Sequence, residues 1–291
     1  MKKAEQAKLA TAFVTPAIGL LAIVTLYPLL FSLWISFRDW TLLAPNQSRF
    51  IGLANYFEAF SSKTAVFSFL RSLYFAALSI SGEILLGLAV ALVLNEGFRG
   101  RGFVRALLIL PWALPDVVNS VLWKWILNGD FGALNGLLKQ LHLIREYRYW
   151  LSSGGVALHL LILTNIWRCT PFVAIVLLAG LQSIPEELFE VAQIDGAGFG
   201  KRLRFIIIPM LRPTVLVVLV LRSMDALRIF GLVYIITKGG PGDSTKTIGY
   251  YIFETAFQGM RLGFASSLSW ILFVVVMILA VIYLRFLRRE W

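Results

Sequence analysis

Long apolar runs alternate with short polar stretches along this chain. The runs cover roughly 12–37, 69–94, 103–127, 157–181, 206–236 and 264–287. Each is long enough to cross the ~30 Å hydrocarbon layer as a helix rising ~1.5 Å per residue. The pattern predicts an all-α polytopic membrane protein with about six transmembrane helices, forming a single transmembrane domain over 1–291. The third run carries Pro111, Pro115 and Asp116, which predicts a kink or a broken start. The fifth is long enough to tilt or bend.

The chain begins with Lys2, Lys3 and Lys8 ahead of an apolar run, as a secretory signal does. That run is far longer than the ~7–15 residues of a signal core, and no small-residue cleavage site follows closely. It reads as a retained first membrane helix.

Composition agrees with this picture. Of the 291 residues 58% are hydrophobic and 15% charged, against ~45–50% and ~25% in a soluble domain. One core would not bury so much apolar surface, so lipid must solvate the rest. The net charge of +11 sits at the ends of apolar runs. Topology control and anionic lipid explain that placement better than nucleic acid does.

Basic residues are densest in four places. These are the N-terminus, the short loop with Arg99, Arg101 and Arg105, the stretch with Lys201, Arg202 and Arg204, and the C-terminus with Arg285, Arg288 and Arg289. The positive-inside rule makes all four cytoplasmic, with both termini inside. The remaining loops also hold basic residues, Arg38, Lys139 and Lys246 among them, so the bias is one of density.

Catalytic and metal chemistry find little support. A single cysteine, Cys169, rules out an intrachain disulfide framework. His142 and His159 are far apart, and no Cys/His spacing fits zinc. Around Gly200-Lys201 a phosphate loop would need a glycine where Asp195 stands and a hydroxyl where Arg202 stands.

The stretch 183–213, SIPEELFEVAQIDGAGFGKRLRFIIIPMLRP, is the most informative. Ser183 and Glu186 have capping-box spacing, with Pro185 in the first turn. Ile184, Leu188, Val191 and Ala192 form an apolar stripe, and Gly196 ends the helix. The acidic residues Glu186, Glu187, Glu190 and Asp195 are unusual for a helix lying on lipid, which prefers a basic polar face. They favour a protein partner in the cytoplasm.

Glu190-Val191-Ala192, Gly196 and Ile206-x-Ile208-Pro209 resemble, in residues and spacing, the EAA motif of permease subunits of ATP-binding-cassette importers. Val191 and Ile208 replace the usual Ala and Leu. Ala179-Gly180-Leu181-Gln182-Ser183-Ile184-Pro185, Trp167-Arg168-x-x-Pro171-Phe172 and Thr237-Lys238-Gly239-Gly240-Pro241 with Thr245 and Thr247 are similar to the carbohydrate branch of that family.

The resemblance implies a heteromeric sugar importer. In it a second permease subunit, two cytoplasmic ATPase subunits and an extracytoplasmic solute-binding protein are the partners, and no nucleic acid is involved. It implies a coupling loop over about 183–205, with Glu190, Ala192, Asp195, Gly196 and Pro209 as its site residues. ATP and magnesium would reside on the ATPase partners, with no cofactor or metal bound by this chain. Di- or oligosaccharides, or glycerol phosphate and polyols, are the implied solutes. A stand-alone secondary transporter is the rival, but no internal repeat relates the two halves.

Ionisable residues within spans are functional candidates by default. They are Glu83, Asp116, Arg168, Arg222, Asp225 and Arg228. Arg222, Asp225 and Arg228 follow one another at i, i+3, i+6, so neighbours pair on one helical face. They read either as a lining of the substrate path, together with Arg168, or as an ionic ladder with Glu83 that locks helix packing. Trp123, Trp125 and Trp150 read as interfacial anchors.

Overall fold

The computed structural model describes Lys3–Arg288. Lys2 and Arg289, counted above among the terminal basic clusters, lie outside the described residues. In chain order the helices are α1 (Lys3–Ser36), α2 (Ala54–Ser61), α3 (Lys63–Asn95), α4 (Arg101–Ala113), α5 (Asp116–Ile126), α6 (Ala133–Gln140) and α7 (Gly154–Gln182). Then follow α8 (Glu186–Ile194), α9 (Phe199–Arg202), α10 (Ile208–Leu227), α11 (Gly231–Ile236), α12 (Ile248–Phe253) and α13 (Leu262–Arg288). After α1, the two-residue strands β1 (Arg38–Asp39) and β2 (Arg49–Phe50) pair antiparallel.

Five helical stretches are long and apolar enough to cross a membrane: Thr11–Ser36, Lys63–Asn95, Gly154–Gln182, Phe199–Ile236 and Leu262–Phe286. A sixth span exists if α4 and α5 are taken together, but they bend by 91° at Leu114–Pro115. The third predicted run is therefore two short helices. Proline disfavours the helical conformation in the residue before it. Leu114 accordingly turns extended, at φ −69° and ψ 137°. Asp116 then opens α5, where a carboxylate suits the positive helix end.

The chain divides into two compact units, one joining residues up to Val66 with Ile252–Phe273, the other joining Phe67–Tyr251 with the chain from Val274. In the smaller unit, buried Asn55 ties the end of α1 to α2. Its Nδ2 donates to the carbonyls of Ser36 (2.9 Å) and Arg38 (3.0 Å). Arg261 forms a two-pronged ion pair with Glu58, 2.7 Å on each arm. Only 6% of the most apolar window of α1 is covered by the rest of the chain, so lipid or another subunit must cover it.

In the larger unit α7 is the central element, packed against α4 and α10. Gly82 and Gly87 let α3 approach it. A methyl group on them would lie 2.5 Å from Ile166 Cδ1 and 2.8 Å from Val173 Cγ1. On Gly180 of α7 it would lie 2.5 Å from Thr214 Oγ1 of α10. Small residues are what lets membrane helices pack backbone to backbone. One apolar core forms around Leu94, Leu177, Leu181, Leu211 and Val218, and a second around Phe75, Leu161, Leu232, Val233 and Tyr250.

The fifth predicted run is interrupted twice. A π-turn over Leu203–Ile207 joins α9 to α10, with the Ile208 N–H reaching back five residues to the Leu203 carbonyl. A second break, at Arg228–Phe230, separates α10 from α11. Backbone freed at such a break needs partners inside a membrane. The Thr247 hydroxyl donates to the Ile229 carbonyl at 3.0 Å, and at the start of α12 the Ser72 hydroxyl accepts the Ile248 N–H at 2.8 Å. The two broken spans meet, α5 packing directly on α11. There Gly231 lies so close to Asp116 that a methyl group on it would sit 2.5 Å from Oδ2.

Candidate functional site

The charged residues predicted inside the spans form two groups in the larger unit. The first centres on Glu83, whose side chain is fully buried in α3. Its Oε2 accepts from Arg222 Nε at 2.7 Å. Its Oε1 accepts from Arg222 Nη2 at 3.1 Å and from Asn165 Nδ2 at 3.0 Å. Arg222 Nη1 also reaches Asp225 Oδ2 at 3.2 Å, and Arg228 Nη2 reaches Asp225 Oδ1 at 3.2 Å. The ladder runs from a sealed end to an open one: side-chain exposure is 5% at Arg222, 56% at Asp225 and 61% at Arg228.

The second group pairs Arg168 Nη1 of α7 with Asp116 Oδ1 of α5 at 3.0 Å, partly exposed. Beside it, Trp123 and Trp167 pack edge to face at 5.6 Å. Across both groups three arginines face three carboxylates, so the cluster is neutral. Asn165 is a member that sequence reasoning missed, because an amide in an apolar run carries no charge signal. Among the described residues no three His, Cys, Asp or Glu side chains come together as metal ligands do.

The second candidate site is the loop after α7. Ser183 does not cap α8, as its spacing to Glu186 predicted. It closes α7 instead, its hydroxyl donating to the Gly180 carbonyl at 2.8 Å. The residue that opens α8 is Pro185, whose extended ψ of 133° and fixed φ start the helix at Glu186. At the other end Gly196 adopts φ +67°. Its N–H bonds the Gln193 carbonyl at 3.1 Å while the Ala197 N–H bonds the Ala192 carbonyl at 2.8 Å. This is the left-handed glycine turn that satisfies the last carbonyls of a helix, with Asp195 the residue just before it.

The predicted apolar stripe divides between two faces. Ile184, which precedes the helix, and Ala192 are buried, and Phe189 packs with Ile184 against the core of α3, α7 and α10. Leu188, Val191 and Ile194 point outward, at 40%, 57% and 87% exposure. They share the exterior with Glu186, Glu187 and Glu190. Pro209 is half-buried in the first turn of α10, and Ile207 beside it is buried. The loop is thus pinned from within and presents an apolar and acidic face outward.

Five or six helical stretches long and apolar enough to cross a membrane, with a pinned helical loop after α7, define a polytopic membrane protein. Residues 83–289 match the family described as binding-protein-dependent transport system inner membrane component. The trehalose/maltose transport system permease protein MalF of Thermococcus litoralis is 35% identical over 97% of this chain and 95% of its own. The trehalose transport system permease protein SugA of Mycobacterium tuberculosis is 33% identical over 96% of this chain and 88% of its own. A chain of a bacterial alginate ABC transporter, solved with an alginate pentasaccharide-bound periplasmic protein, superposes with a TM-score of 0.84. It is 25% identical, with 99% of this chain and 97% of that chain covered. This chain belongs to the binding-protein-dependent inner membrane component family and is a multi-pass permease subunit.

Proposed function

We propose that this chain is one of two permeases lining the path of an ATP-driven importer for a di- or oligosaccharide. It is driven through the loop over about 183–205. The observation that carries this reading is the outward face of α8. Three exposed apolar side chains beside three carboxylates, on a helix whose other face is fixed to the core, form a surface made to be covered by protein. A helix resting on lipid would carry basic residues there. The covering partner is a cytoplasmic ATPase subunit, which holds the ATP and magnesium, and this chain binds no cofactor. The loop and both termini are cytoplasmic.

The half-exposed charges Asp225 and Arg228 support the path itself. Charges at membrane depth require a water-filled cavity or a facing subunit, and a second permease across the path supplies both. The relatives that transport trehalose and maltose support a neutral sugar. Glycerol phosphate or a polyol is the rival solute, which a thermal-shift screen of the cognate binding protein distinguishes.

The test is Gly196→Pro in the complete complex in vesicles. Proline holds φ near ~−65°, opposite in sign to the +67° that the turn needs, and it lacks the N–H given to Gln193. Uptake and substrate-stimulated ATP hydrolysis should both disappear while the protein remains inserted, and Glu190→Lys should act in the same direction. Normal transport with full stimulation in Gly196→Pro would leave α8 as a helix that merely rests on the membrane surface.

A further inference from the structure

Helix α7 has 29 residues, a length of ~44 Å at ~1.5 Å per residue. The coupling loop follows one of its ends. Before the other end, the chain from α5 to α7 encloses a cup of about 270 Å³. Drug-sized pockets begin at ~300 Å³, so this one has room for a single ring. Lys124, Asn128, Asp130, Tyr149, Trp150 and Ser152 supply its polar and aromatic wall.

The cup is built, not incidental. Asn135 of α6 is fully buried beside it and makes five hydrogen bonds that tie its two sides together. Nδ2 donates to the carbonyls of Asn128 (3.3 Å), Gly129 (3.2 Å) and Arg148 (3.0 Å). Oδ1 accepts from the Arg148 N–H (3.1 Å) and from Trp150 Nε1 (2.9 Å). Asn128 Oδ1 takes the N–H groups of Asp130 and Phe131 at 2.8 and 3.1 Å, which shapes the turn. Trp150 is thus fixed in the wall, whereas Trp125 is 66% exposed as a membrane anchor would be.

What this wall leaves unused has a definite chemistry. Tyr149 gives its hydroxyl proton to Asp130 Oδ1 at 2.7 Å, which orients the carboxylate and leaves Oδ2 as an acceptor. The Lys124 ammonium has no partner among the described residues, and Asn128 keeps its Nδ2 as a donor. Donors and an acceptor therefore converge beside two aromatic rings, with one positive and one negative charge. A sugar ring presents hydroxyls around its edge and an apolar C–H face, and has no charge. The cup matches it in each respect.

We propose that this cup is a carbohydrate subsite that takes one neutral pyranose unit on the side of the membrane opposite α8, apart from the charge cluster within the spans. The proposal rests on the sugar-permease reading. The complete complex, in lipid nanodiscs without its binding protein, is titrated with trehalose and with maltose by saturation-transfer NMR. Wild type should transfer saturation to the sugar ring protons. Asp130→Asn and Lys124→Met should each weaken binding by about tenfold or more, as loss of one charge-assisted hydrogen bond would. Both replaced side chains are exposed, so the variants retain the fold, which their size-exclusion profile checks. Gly129→Ala, whose methyl group would meet the Tyr149 ring, should weaken binding too. Absence of transfer in wild type, or equal binding in Asp130→Asn and Lys124→Met, overturns the subsite. Failure of the complex with its binding protein to take up any sugar would overturn the transport reading instead, since the NMR measurement does not depend on transport.

Discussion

Replacing Arg222 by Met isolates the sealed end of the ionic ladder. Glu83 has no exposed surface, and Arg222 supplies two of its three hydrogen bonds, at 2.7 and 3.1 Å. In Arg222→Met the carboxylate keeps only the neutral amide of Asn165. Removing one partner of a buried ion pair costs ~3–5 kcal/mol, a large share of the ~5–15 kcal/mol that holds a typical protein folded. At ~1.4 kcal/mol per decade, the ratio of folded to unfolded protein should fall by a factor of ~100 or more. The double variant Glu83→Gln/Arg222→Met removes the stranded charge and should regain most of that loss, because a neutral pair of similar size avoids the desolvation of both ions. The assay is the fraction of monodisperse complex left after graded heating in detergent, with solute preference measured by uptake competition. Assembly as in wild type together with an altered solute preference would refute the locking role and make Arg222 part of the path.

The open end of the ladder should behave differently. Arg228→Ala, at a side chain 61% exposed, should leave thermal stability within ~0.5 kcal/mol and slow uptake; equal uptake by the variant would remove Arg228 from the path. Gly180→Val places branched bulk against Thr214 and Leu211 and should cost ~1–3 kcal/mol, read as an earlier melting transition of the complex. A cysteine at Gly198 should resist a membrane-impermeant thiol reagent in intact cells and react once the membrane is opened; labelling from outside would reverse the topology.

Much of the fold was legible because lipid imposes length. A run of apolar residues either reaches across hydrocarbon or does not, and the helices α1, α3, α7 and α13 lie where the runs predicted them. The breaks were legible only where proline marks them. Pro115 announced the division between α4 and α5, whereas nothing among residues 228–230 is a proline. That second break depends on Thr247 and Gly231, which act through contacts distant in sequence. The spacing of Arg222, Asp225 and Arg228 gave the ladder along one helix, and Glu83 stood out as a charge within another span, but nothing in the helical repeat pointed to Asn165 as the third partner. In the loop, Gly196 was read correctly as a helix stop. Ser183 was not, because a serine between two helices serves equally to close the first or open the second, and Pro185 had already fixed the start of α8.

The π-turn at Leu203–Ile207 bears on how this gene can change. A turn with five residues to its hydrogen bond is a helix carrying one residue more than the α-form. Nine residues separate Gly196 from Ile206, and the π-turn begins within that interval. Deleting one residue from α9 or the start of α10 with the π-turn kept would turn everything upstream, α8 included, by ~100° about the helix axis at ~3.6 residues per turn. Exchanging one apolar residue for another at Leu203 or Ile206 does no such thing. Selection on this stretch therefore acts as a ruler more than as a template: it tolerates many spellings at a fixed length, and a single lost codon is more damaging than several altered ones.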